Sequence, residues 1–189
     1  MPESVIIISM KRLATALLLI ALTFPLAFAK PADSAAEVLK AAQAKAKAER
    51  KNVMVIFHAS WCGWCKKMDE FMERPEFKKI FDANYVIVHL TVMENEAHKS
   101  DENAGGMDVM KSAGGENQGI PFYYISDPNG KMLINSRRKN GPDDEGSNIG
   151  HPAKPEEVDH FILMLRKTAP RMTGTQIESI KKFLLAQKF

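Results

Sequence analysis

The chain reads as an α/β domain, and three features predict this. Val53-Met54-Val55-Ile56-Phe57 is apolar at every position, as in a strand buried on both faces. A helix-patterned segment carrying Met68, Phe71 and Met72 follows it. A second strand then alternates Val86, Val88, Leu90 and Val92, and is expected parallel to the first because a helix intervenes. With 189 residues and 45% hydrophobic content, the chain suits one domain whose core needs no stapling disulfide.

The elements follow in order. Lys11-Arg12 precede an uncharged stretch from Leu13 to Phe28 that ends at Ala27-Phe28-Ala29, the pattern of a secretory signal peptide over residues 1–29. Met10-Lys11-Arg12 makes a more typical beginning for it than Met1. Its apolar run is near the lower length limit of a membrane span, so an uncleaved anchor is the alternative. No cysteine follows Ala29, which argues against a lipid anchor. Residues 30–189 are then the mature domain.

Ser34 and Glu37 have capping-box spacing ahead of an Ala-rich helix reaching Arg50. A helix from Cys62 runs to Arg74-Pro75, where proline suits the first turn of another, Glu76 to Phe81. Residues 94–118 are polar, hold four glycines and offer one short helical candidate, Met107 to Ser112. Ile120-Pro121 opens a third strand, Phe122 to Ser126, and Asp127-Pro128-Asn129-Gly130 suits a type I turn into a fourth, Lys131 to Asn135. Arg137-Arg138-Lys139 and Asp143-Asp144-Glu145 read as a self-compensating surface loop. Pro155 begins a helix carrying Val158, Phe161, Ile162 and Leu165 that Pro170 stops; Thr175-Gln176-Ile177-Glu178 is the expected cap of a last helix over about 175–187.

The chemistry points to Trp61-Cys62-Gly63-Trp64-Cys65-Lys66. It holds the only two cysteines, set where the apolar strand meets a helix, and no other internal bridge is possible. A thiolate at a helix N-terminus is stabilised by unpaired N–H groups and the macrodipole, which suits Cys62 to attack and Cys65, one turn inward, to close the disulfide. The alternatives are an inert disulfide or half of a zinc site. A finger-type site needs two more ligands, and no two of His58, His89, His98, His151 and His160 have its three-to-five spacing. No metal is expected. Met93, Met107, Met110 and Met132 are too irregularly spaced for a copper site and read as packing. The net charge of +3 becomes +2 without residues 1–29, which carry Lys11, Arg12 and Glu3. That is too little for an electrostatic grip on nucleic acid.

The element order and the segment Phe57-His58-Ala59-Ser60-Trp61-Cys62-Gly63-Trp64-Cys65-Lys66-Lys67-Met68 resemble the thioredoxin-like family, over roughly residues 38–167. The short helix after Pro75 is most similar to exported bacterial members and to the C-terminal domain of the transmembrane disulfide reductase. The resemblance implies a four-stranded mixed sheet flanked by helices, here with a C-terminal helical extension. It makes Cys62 the attacking thiol, Cys65 the resolving thiol and Pro121 a cis residue facing them, with Ile120 offering its backbone to a substrate strand. Trp61, beside an exposed thiol, joins Gly63 and Trp64 in the expected contact surface. Two positions depart from the family: Ile56 stands where thioredoxins often carry a buried aspartate, and His89 where they carry its lysine partner. Proton transfer to Cys65 is therefore not assigned to that pair. Trp64 stands where thioredoxin has proline. His58, at a strand end, is read as satisfied by backbone rather than tuning Cys62, and Lys66 and Lys67 either hold the thiolate or form a solvated face.

These readings predict an exported, periplasmic bacterial thiol–disulfide oxidoreductase, leaning toward reduction. It would be monomeric, act on protein thiols and disulfides, exchange electrons with a thiol donor or acceptor, keep no membrane span after cleavage, and use no cofactor beyond a redox-active Cys62–Cys65 disulfide. The second reading is a partner- or soft-metal-binding protein without redox turnover.

Overall fold

A computed structural model describes residues 32–141 and 143–187. The expected signal peptide lies outside the described residues. The first helix, α1 (Ala35–Glu49), starts at the capping box: Ser34 Oγ accepts from the Glu37 N–H at 3.3 Å, and the Glu37 carboxylate accepts from the Ser34 N–H at 2.8 Å. Strand β1 (Asn52–His58) leads to α2 (Gly63–Met72), then α3 (Pro75–Asn84) and strand β2 (Tyr85–Thr91). Strand β3 (Phe122–Ser126) turns into β4 (Met132–Asn135). The turn is closed by the Gly130 N–H donating to Asp127 O at 3.0 Å, and the Asp127 carboxylate accepts from the N–H groups of Asn129 and Lys131. Gly130 takes φ +90°, a conformation glycine adopts without steric cost. The last helices are α5 (Pro155–Thr168) and α6 (Gly174–Ala186), α4 being the short Gly106–Met110.

The sheet runs β2-β1-β3-β4, with β1 parallel to β2 and antiparallel to β3. Period-two alternation sorts β1 onto two faces. Val53, Val55 and Phe57 pack with Ala42 and Ala46 of α1 and with Met110 and Ala113. Met54 and Ile56 pack with Met68 and Phe71 of α2, Phe77 and Phe81 of α3, Phe161 of α5 and Ile180 of α6. All five central residues of β1 are at most 1% exposed, which explains the unbroken apolar run. The second layer is aromatic: the Phe71 ring lies 5.4 Å from Phe77, 5.6 Å from Phe81, 6.0 Å from Phe161 and 5.6 Å from Phe183.

Three expectations change. The last helix is capped two residues early, because Thr173 Oγ1 accepts from the Gln176 N–H at 3.2 Å while the Gln176 side chain accepts from the Thr173 N–H at 2.8 Å, a reciprocal pair that leaves Thr175 inside the first turn. Residues 94–118 are not one loop. They form a 3₁₀ turn (Glu96–Asp101), α4, and a π-type turn (Lys111–Gly115) that packs under β4. The charged loop carries a two-stranded ribbon, β5 (Arg137–Arg138) with β6 (Ser147–Asn148). Arg137 donates to the carbonyls of Gly114 at 3.1 Å and Gly146 at 3.2 Å, and the Asp144 carboxylate accepts from the N–H groups of Asn140 and Gly146, so these two side chains also satisfy backbone, while Lys139 adds a compensating charge near Asp144.

Phe71 is central to this packing, and Phe71→Ala is expected to cost about 3–5 kcal/mol. Urea unfolding of the variant and the parent measures it; a cost under about 1 kcal/mol would place α6 and α2 in weaker contact than the rings imply.

Candidate active site

Strand β1 ends at His58, and a tight turn with the Cys62 N–H donating to Ala59 O at 3.0 Å begins α2. Cys62 is the N-cap of that helix, in extended conformation (φ −78°, ψ 101°), and its Sγ accepts from the Cys65 N–H at 3.1 Å. A sulfur in the position of a capping oxygen meets an N–H that the helix itself leaves unpaired. Cys62 and Cys65 are joined in a disulfide with S–S 2.06 Å.

The Ile120–Pro121 peptide bond is cis, and the Ile120 carbonyl oxygen lies 3.6 Å from Cys62 Sγ. Trp61, Gly63 and Trp64 surround the pair at the surface, so the chain segments of the expected site do converge. The expected exposed thiol is corrected: Cys62 is 3% exposed and Cys65 2%, in a small cluster with Ala59 against which Ile120 packs. What is exposed is aromatic, Trp61 at 55% and Trp64 at 45%. A Cβ on Gly63 would meet open space. Lys67 Nζ sits 5.6 Å from the Trp64 ring, and the His151 ring stacks on Trp64 at 6.1 Å.

Sequence reasoning missed the groups that hold this loop from behind. Glu94, just past β2, is 7% exposed, and its carboxylate accepts from the Ser60 N–H at 2.5 Å and the Ser60 hydroxyl at 2.8 Å. Burial opposes its charge, but the two Ser60 donors outweigh burial and hold the carboxyl below its ordinary range. The Trp61 indole N–H donates to Met93 O at 2.8 Å, and Met93 takes φ +56° to present that carbonyl. Nothing in the sequence marks Glu94 beyond an acid at a strand end.

His89 is the cross-strand neighbour of Ile56, as the two family departures suggested, but its Nε2 pairs with Asp69 Oδ1 at 2.9 Å. Asp69 lies one turn beyond Cys65 on α2. The His58 ring packs 5.0 Å from His89, and His58 Nε2 lies 3.2 Å from Thr91 Oγ1, so a side chain rather than backbone satisfies His58. Burial, then the neighbouring His89, lower the His58 pKa, with Asp69 and Glu94 opposing.

With this geometry in view, comparison with known proteins is direct. Residues 35–128 match the family model described as thioredoxin-like. The chain belongs to the thioredoxin-like family. A barley (Hordeum vulgare) protein disulfide-isomerase is 30% identical over 83 residues, 44% of this chain and 14% of that relative, so the match spans only a small part of the relative's length. Among solved structures, a disulphide isomerase from Xylella fastidiosa Temecula1 aligns with TM-score 0.48 and 18% identity, covering 85% of this chain and 95% of the other. The C-terminal domain of DsbD from Neisseria meningitidis aligns with TM-score 0.39 and 20% identity, covering 56% and 84%.

The histidines set a pH dependence. Burial lowers the pKa of His58, of His151 despite its bond to Gln187, and of His160 despite its bond to the Asn135 carbonyl. The folded state therefore holds them neutral while the unfolded chain takes up protons below about pH 6.5. Their contribution is complete above that pH and is lost as pH falls through the lowered values. The urea midpoint is expected to be lower at pH 5 than at pH 7.5; an equal or higher midpoint at pH 5 would contradict the assignment.

Proposed function

We propose that the protein is a protein thiol–disulfide oxidoreductase that works as a reductase in the bacterial periplasm, cycling Cys62 and Cys65 between dithiol and disulfide. The observation that carries this reading is the Cys65 N–H aimed at Cys62 Sγ at 3.1 Å, beside the Ile120 carbonyl and cis Pro121. A donor that caps the sulfur of the disulfide is in place to stabilise the thiolate of the reduced form.

In the reduced protein the Cys62 thiolate attacks one sulfur of a partner disulfide. The Cys62–partner S–S bond forms, the partner's own S–S bond breaks, and the departing sulfur takes up a proton. Cys65, losing its proton, then attacks Cys62 Sγ and expels the partner's second sulfur. Two electrons pass to the partner, and the protein is left as the disulfide observed here. A thiol donor restores the dithiol by the same path in reverse. Because the two cysteine residues are almost covered, the partner's disulfide must come in over Gly63, between Trp61 and Trp64, with extended chain against Ile120.

The reducing direction is supported by the resemblance of the segment around Cys62-Gly63-Trp64-Cys65 and of the short helix after Pro75 to the C-terminal domain of the transmembrane disulfide reductase. Export is supported by Lys11-Arg12 and the apolar run ending at Ala29.

Insulin reduction by the dithiol form, with the Cys62/Cys65 potential measured against glutathione, tests this reading. A potential near the thioredoxin end, about −270 mV, is expected; one near about −120 mV would reverse the direction. Cys62→Ser is expected to drop activity to background. Cys65→Ser is expected to trap a covalent complex with a partner protein, seen as a reductant-sensitive band, and absence of that band in every extract would count against the scheme. Copper binding without insulin turnover would favour the partner- or metal-binding alternative.

A further inference from the structure

The ribbon β5–β6, which the charge pattern gave as plain surface, ends in a residue that grips the loop before Pro121. Asn148 Nδ2 donates to Gly119 O at 2.7 Å and to Pro121 O at 2.9 Å, the carbonyls on either side of Ile120. Its Oδ1 accepts from the Ser136 hydroxyl at 2.7 Å and from the Gly150 N–H at 3.2 Å. Its own backbone N–H donates to Gln118 Oε1 at 2.9 Å. Both amide hydrogens and both oxygen lone pairs are thus committed, and the partners fix the orientation: carbonyls face the nitrogen, donors face the oxygen. Ser136 is anchored in turn to β3, its hydroxyl accepting from the Tyr123 N–H at 3.1 Å and its N–H donating to Tyr123 O at 2.8 Å.

The position of this grip matters. Ile120 is the residue whose carbonyl lies 3.6 Å from Cys62 Sγ. On its outer side, a groove of about 370 Å³ runs between Trp64 and β6, lined by Gly119, Ile120, Pro121, Asn148 and Ile149. An extended chain seated along Ile120 would enter that groove, and its register would then depend on how the two neighbouring carbonyls are held.

We propose that Asn148 is a substrate-positioning residue: its carboxamide holds the carbonyls of Gly119 and Pro121 so that the main chain of Ile120 faces an extended segment of a protein disulfide substrate, with the ribbon 137–148 as the outer wall of the groove. This rests on the oxidoreductase reading above. Asparagine is required because the carbonyl pair needs two donors and the Ser136 and Gly150 groups need an acceptor. Aspartate keeps the acceptors, removes both donors and sets a carboxylate against two carbonyl oxygens.

The test compares the full chain with Asn148→Asp and Gln118→Ala on two substrates, insulin and the small aromatic disulfide dithiobis(nitrobenzoate), which needs no main-chain register. Asn148→Asp is expected to raise KM for insulin about tenfold, with kcat changed far less, and to leave the Cys62/Cys65 potential where it was. Gln118→Ala, which frees the β6 N–H without placing charge in the loop, is expected to raise the insulin KM by a smaller factor and serves if Asn148→Asp does not fold. Equal losses on both substrates, or a shifted potential, would show a structural role only and overturn the assignment. Insulin KM unchanged in a folded variant overturns it as well. Parent protein inert toward insulin overturns the oxidoreductase reading itself, an outcome read before any variant is compared.

Discussion

Where α2 begins decides almost everything about the site. The helix starts at Gly63 because the chain leaving β1 turns at Ala59 and gives Cys62 the extended conformation of an N-cap, so the sulfur receives the Cys65 N–H that no carbonyl of the helix can reach. A slip of one residue would rotate Cys65 about 100° around the helix axis and separate the sulfurs. Register is held from below by β1, buried on both faces, and by Met68 and Phe71 one and two turns along α2, which cannot leave the core without opening it. The chemistry is thus a by-product of packing: the same apolar contacts that stabilise the sheet set the distance between the reacting atoms.

Around that anchor the molecule uses polar braces, each reaching from a distant part of the chain. Glu94 arrives from beyond β2 to hold Ser60, Met93 offers a carbonyl to Trp61, and Asn148 comes from the ribbon to hold both sides of Ile120. Such bonds contribute modestly to folding, about 0.5–1.5 kcal/mol each. Their value lies in restricting loops that enter the hydrophobic core only in part, through residues such as Met93 and Ile120. The other end of the sheet is fastened in the same manner, with the Tyr85 hydroxyl on Thr168 at 2.7 Å and the Arg171 guanidinium on the carbonyls of Ala83 and Arg50.

Those braces also mark the limit of what the residues reveal in one dimension. Strands, helices, the turn at Asp127 and the cysteine pair were readable because each carries a local signal: periodicity, a capping box, a proline, a spacing. Thr173 and Thr175 both fit a capping pattern three residues ahead of a Gln or Glu, and only the closed pair of bonds at Thr173 chooses between them. Glu94 and Asn148 carry no local signal at all. An acid or an amide in a polar stretch looks solvated until the fold brings a partner 34 or 27 to 29 residues away against it. The covering of the cysteines was hidden for the same reason, since Ile120 reaches Cys62 from across 58 residues of chain.

The two tryptophans of the chain are Trp61 and Trp64, and both flank the disulfide. Indole emission from this protein therefore originates wholly within one helical turn of the sulfurs, with Trp64 stacked on an imidazole and Trp61 tethered to a carbonyl. No background fluorophore of that kind dilutes the signal. The molecule is its own optical probe: opening the bridge, seating a ligand beside it or protonating His151 each perturbs light that comes from nowhere else.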